Sequence, residues 1–76
     1  MSARAEVIIE HCRGWSIATR PAPRTQRDKP RFLAWAKMGE ITGTGPLDES
    51  GLNIWFNFGR TREEAVATVK REIGIS

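Results

Sequence analysis

Two kinds of side chain in this sequence could do chemistry on a partner, its arginines and its tryptophans. Nine of the twelve basic residues are Arg, the acids number nine, and the formal net charge is +3. A guanidinium offers a planar fork to phosphate or carboxylate and stacks on aromatic rings, so this bias matters more than the total charge. The cations concentrate in one stretch, where Arg20, Arg24, Arg27, Lys29 and Arg31 stand against Asp28 alone. Pro21, Pro23 and Pro30 keep that stretch extended and out of any helix. It reads as an arm that contacts backbone phosphates without reading sequence, although charged, Pro-rich loops are more often simply solvated. Trp15, Trp35 and Trp55 recur at a uniform interval of twenty. On an uncovered sheet face they would be stacking rings for unpaired bases, each worth ~1–3 kcal/mol, with Arg13 and Lys37 beside them. The same rings would equally shield an open sheet or meet a protein partner or a second copy.

Other chemistries find little support. Cys12 is the single cysteine, and adjacent residues on a strand point to opposite faces, so His11 is not placed to activate it. Glu63 and Glu64 sit where a helix begins and are explained by capping and by the helix dipole. A lone His beside a lone Cys is too few soft ligands for a metal centre. Gly43-Thr44-Gly45-Pro46 has no Gly-Lys-Ser/Thr and is followed by acids, so it reads as a flexible turn and not a phosphate loop. The expectation is a protein that is not an enzyme, with no cofactor, no metal and no small-molecule substrate.

The elements that must position these residues follow from periodicity. Leu52, Ile54, Phe56 and Phe58 alternate with Asn53, Trp55 and Asn57, which predicts a half-buried strand. With a helix on the Leu52/Ile54/Phe56/Phe58 side, Trp55 points to the uncovered face. Residues 32–38 form a second strand with apolar groups on both faces. Thr61 and Glu64 make a capping box, Ala65, Val66, Val69 and Ile73 share one helical face, and Gly74 ends the helix, which is expected from about Arg62 to Ile73. Phe58, Gly59, Thr61, Glu64 and Ala65 thus all have structural jobs, and Arg60 and Arg62 have none.

The N-terminal third admits two readings. Val7, Ile8 and Ile9 favour one long strand that passes through a bulge at Gly14 to Trp15, Ile17 and Thr19. The spacing of Ala5, Ile8, Ile9 and Cys12 also fits a helix stopped by Gly14. A hairpin turning at Arg13-Gly14 is disfavoured, since a two-residue turn prefers Asn or Asp before Gly. The acidic stretch Gly39 to Gly51, with Glu40, Asp48 and Glu49 and no basic residue, reads as a flexible loop.

The junction Gly59-Arg60-Thr61-Arg62-Glu63-Glu64-Ala65 resembles the Gly-x-Thr-x-x-Glu-Ala stretch of HicB-type antitoxins, matching at Gly59, Thr61, Glu64 and Ala65. That resemblance implies a small sheet with a helix on it and a role in protein–protein recognition. The same junction is similar to the helix start of double-stranded-RNA-binding domains, matching at Gly59, Arg62 and Ala65, which implies phosphate contacts there. Seventy-six residues make one domain, 1–76. The expected architecture is α+β: an antiparallel three-stranded sheet with one C-terminal helix packed on one face, in the order β-β-β-α. No apolar run approaches the ~18 residues of a membrane span, and a cytoplasmic location is expected. The expected function is a non-catalytic binding module that contacts RNA or DNA through the basic loop and the aromatic sheet face. The alternative is a protein-interaction module, antitoxin-like or homodimeric, that uses the exposed sheet face.

Overall fold

Alternating strands and one capped helix build this chain. The computed structural model describes residues 7–22, 31–49 and 54–75. In chain order they form β1 (Ile8–Cys12), β2 (Trp15–Pro21), β3 (Phe32–Met38), a short 3-10 turn (Pro46–Asp48), β4 (Trp55–Gly59) and α1 (Arg62–Ile73). The strands make one antiparallel sheet in the spatial order β1-β2-β3-β4. The α+β class and the C-terminal helix stand, and the strand count is four where three were expected.

The extra strand comes from the disfavoured hairpin. Arg13 has φ +53° and Gly14 φ +87°, so both central residues of the turn are left-handed, and Cys12 pairs with Trp15 across it. Left-handed backbone costs a residue with a Cβ roughly 1–2 kcal/mol, which is why Asn and Asp are preferred there. In this chain the ladder from Ile8–Thr19 to Cys12–Trp15 offsets that cost at Arg13. Neither a continuous strand through a Gly14 bulge nor a helix forms over residues 8–12. The first strand-forming residue of the fourth element is Trp55; Leu52 and Asn53 lie outside the described residues.

The helix has its expected bounds. Thr61 Oγ1 accepts from Glu64 N–H at 3.0 Å, and Gly74, at φ +84°, ends the helix by donating to the Lys70 and Arg71 carbonyls. The reciprocal half of the cap is displaced by one residue: Glu64 Oε1 accepts from Arg60 N–H at 2.9 Å, not from Thr61. Arg62 also has a structural job, since its guanidinium donates to the Thr19 carbonyl at 3.0 Å and lies 5.1 Å from the centre of the Phe32 ring.

The two faces of β4 are set opposite to expectation. Phe32, Ala34 and Ala36 pair with Gly59, Asn57 and Trp55, and this row lies under α1. The core there is Ile17, Ala34, Ala36, Ala65 and Val69, all fully buried. Small side chains let the helix backbone come close: a Cβ at Gly59 would stand 2.5 Å from the Ala65 nitrogen. Phenylalanine rings cannot fit in that space, so Phe56 and Phe58 lie on the other face, across from Trp35 and Leu33. Apolar alternation marks a strand, but in β4 the larger apolar set is the one turned away from the helix.

Candidate binding face of the sheet

The three tryptophans do not share a platform. Trp15 is half-buried and packs against the helix-side core, and Trp55, 42% exposed, lies in the same helix-side row across from Ala36. Trp35 lies on the opposite face and is fully buried, so no base can stack on it. Of the basic arm, Arg24, Arg27 and Lys29 lie outside the described residues. Arg20 and Arg31 are described; Arg31 is exposed, whereas Arg20 donates from Nη1 to the Thr44 carbonyl at 2.8 Å and from Nε to the Pro21 carbonyl at 3.3 Å.

What buries Trp35 is the acidic loop, and the residue responsible is Glu49. Its side chain is removed from solvent and accepts from Trp35 Nε1 at 3.1 Å, Lys37 Nζ at 3.4 Å, Thr42 N–H at 3.0 Å and Gly43 N–H at 2.8 Å. Thr42 Oγ1 donates as well, at 3.3 Å. Burial by itself pushes the carboxyl upward, and the backbone donors of Thr42 and Gly43, then Trp35 and Lys37, outweigh it and bring the pKa from 4.5 to about 2. Ile41 packs beside Ala18, Leu33 and Trp35, so residues 41–49 close over the middle of the sheet. The loop expected to be flexible is thereby tied down, its 3-10 turn further held by Thr44 Oγ1 on Asp48. Sequence reading missed Glu49 because an acid in a Gly-rich segment looks like an ordinary loop residue. The one signal was that a buried Trp N–H must find an acceptor, which the acids of the loop, Glu40, Asp48 and Glu49, could supply.

Among the described residues this face is open at β1, where Ile9 is 42% exposed, and more widely at β4. Phe56 and Phe58 are 51% and 41% exposed, with ring centres 6.4 Å apart in an edge-to-face arrangement. Arg31 and Arg60 stand one residue beyond the Phe32–Gly59 pair, at the end of the sheet where the basic arm returns, and both are exposed. Arg20 pairs with Leu33, which in turn pairs with Phe58, so it borders the same end. Two open rings and three arginines are thus gathered where the expected constellation was three tryptophans. The missed signal was Phe56 and Phe58 themselves, whose alternation suggests core.

A second cluster joins His11 and Ser16, which are cross-strand partners in the hairpin. Ser16 Oγ–H donates to the Gly39 carbonyl, so its lone pairs receive the proton of His11 Nδ1 at 3.2 Å. In that arrangement the imidazole is a donor to the hydroxyl, the reverse of what general-base activation of a serine requires. Ser16 is also only 3% exposed. A groove of about 290 Å³ between β1 and α1 includes Ile8, Thr19 and Val66 in its lining. Its cations are engaged by the protein, Arg62 at Thr19 and Phe32, and Lys70 with Glu10 at 2.8 Å. Among the described residues no helix is long and apolar enough to cross a membrane.

No family model, no curated protein and no solved structure matches the chain.

Proposed function

We propose that this protein is a non-catalytic binding module for single-stranded nucleic acid, with the strand laid on the β4 side of the open sheet face. The observation that carries the reading is the exposed Phe56–Phe58 pair with Arg31 and Arg60 at its end. Rings with free faces accept any base, and arginines at their margin neutralise phosphates without reading sequence. The arm residues Arg24, Arg27 and Lys29 extend the same cationic end in sequence. Trp15, Trp35 and Trp55 take no part, being packed, buried or on the other face. Single strands fit better than duplex, because stacking on Phe56 and Phe58 requires bases that are not already stacked on one another.

Titration of labelled single-stranded and double-stranded RNA and DNA over a range of salt concentrations tests this. The expected result is tighter binding of single strands, with affinity falling steeply as salt rises. Phe56→Ala and Phe58→Ala should each weaken binding by about 1–3 kcal/mol. Arg31→Ala with Arg60→Ala should lower the salt slope by about 1 for each phosphate that is no longer neutralised. Absence of binding at low salt overturns the proposal and favours a module that binds protein.

A further inference from the structure

The outer edge of β4 carries an inference that does not depend on nucleic acid. Ala22 N–H donates to the Arg31 carbonyl at 2.9 Å, which sets the phase of the ladder: odd residues of β3 turn their backbone groups to β2 and even ones to β4. Ala34 and Ala36 face Asn57 and Trp55, so those two residues of β4 bond to β3, and Phe56 and Phe58 direct their backbone groups outward. Phe58 N–H is already taken by Oδ1 of its neighbour Asn57 at 2.8 Å, and Asn57 Nδ2 is held by Glu72 at 2.9 Å. At Phe56 neither outward group has a partner among the described residues.

Native sheets blunt such edges with charge, proline or a covering segment. Residues 54–59, Ile-Trp-Phe-Asn-Phe-Gly, contain no charge and no proline. The other sheet edge, β1, carries Glu10 and His11 and is the better guarded. We propose that β4 pairs antiparallel with β4 of a second copy about a two-fold axis at Phe56, joining two four-stranded sheets into one of eight.

The sequence of the strand is suited to its own reverse. With Phe56 opposite the partner's Phe56, their free N–H and C=O groups bond reciprocally. Phe58 then lies across from the partner's Ile54, which makes the open-face row wholly apolar. Asn57 lies across from the partner's Trp55 on the helix side and keeps its clip on Phe58. A two-fold pairing closes, whereas β4 meeting β1 of another copy would propagate as an open filament and set Glu10 against an uncharged strand. The half-exposed aromatic surface of two copies is on the order of 500 Å², short of the ~1,200 Å² of a stable standard interface. The dimer is therefore weak, and its population depends on concentration.

Sedimentation of the full chain without nucleic acid, over a wide concentration range, tests the pairing. The expected mass rises from 8.5 kDa towards twice that value as concentration increases. Hydrogen exchange should show the Phe56 amide open in dilute solution and protected when concentrated. Phe56→Lys should abolish the association, with circular dichroism confirming that the variant is folded. A synthetic chain carrying N-methyl-Phe56 keeps the ring and the β3 ladder and removes only the outward donor, and it should also remain monomeric. A strict monomer at every concentration overturns the proposal, as does a dimer that N-methylation leaves unchanged. Neither result bears on nucleic-acid binding by the monomer.

Discussion

The two faces of this sheet are closed by different means. Under α1, small residues on β3, β4 and the helix let two regular elements approach at backbone distance, around a cluster of fully buried apolar side chains. On the opposite face an irregular loop is drawn over Trp35 by a single carboxylate, and beyond the loop two phenylalanines stay in water. A helix can cover only part of a four-stranded sheet's area, and on one side only. The second face must be covered by loop, by partner or by nothing, and among the described residues Phe56 and Phe58 stay half-exposed.

The largest effect is expected from breaking the loop side. Glu49→Ala takes the acceptor away from Trp35 Nε1 and from the Thr42 and Gly43 N–H groups and should cost ~3 kcal/mol in urea denaturation. Its tryptophan emission should shift to the red as Trp35 becomes wet, while a probe on α1 reports the helix side intact. Acid makes the same cut without a mutation. Because the Glu49 pKa is depressed from 4.5 to about 2, its contribution is complete above 4.5 and is lost as pH falls towards 2, a difference of about 3 kcal/mol. Urea denaturation at a series of pH values, for the wild type and Glu49→Gln, checks this, and a stability difference between the two that does not shrink from pH 4.5 towards 2 would remove Glu49 as the anchor.

Breaking the helix side comes next. Gly59→Ala places a Cβ 2.5 Å from the Ala65 nitrogen and should cost ~2 kcal/mol as α1 is pushed off the sheet. Thr61→Ala removes the hydroxyl that accepts from Glu64 N–H and should lower stability by about 1 kcal/mol in the same assay. Thr61→Ser, which keeps the oxygen, should restore most of it.

The smallest effect belongs to the rim pair. Glu10 and Lys70 meet at 2.8 Å with side chains 47% and 26% exposed, so Glu10→Gln should cost no more than about 0.5 kcal/mol. The hydrogen bond from Lys70 to Glu10 raises the ammonium pKa above 10.5, against a smaller lowering by desolvation. This stabilisation is complete below 10.5 and is lost as pH rises through the higher folded value, so alkaline denaturation of the wild type and Glu10→Gln should converge there.

Local signals made much of the fold legible. Thr61, Glu64, Ala65 and Gly74 specify a helix by rules that act within one turn, and the helix has the bounds they imply. β3 was legible as a strand with apolar groups on both faces, and both faces are indeed buried in its centre. The hairpin was not legible, because an Arg in left-handed backbone is unfavourable locally and is tolerated only once five cross-strand pairs have formed. Of the basic arm, Arg20 and Arg31 border one end of the open face, a placement that loop sequence alone does not specify. The rings were not legible, since spacing at twenty says nothing about the face on which each tryptophan lands.

The sequence by itself therefore determined where the helix starts and stops, that the segments of β3 and β4 are extended and where the cations gather along the chain, since these depend on residues a few positions apart. Only the tertiary structure decided which row of β4 faces α1, because it turns on space at one position: at Gly59 the helix backbone comes too close for any side chain, while Trp55 of the same row stays 42% exposed. It also decided the role of Glu49, whose donors come from Trp35, Lys37, Thr42 and Gly43 and meet only when the loop crosses the sheet. Donors 6 to 14 positions away in the chain leave no local pattern that marks such a carboxylate.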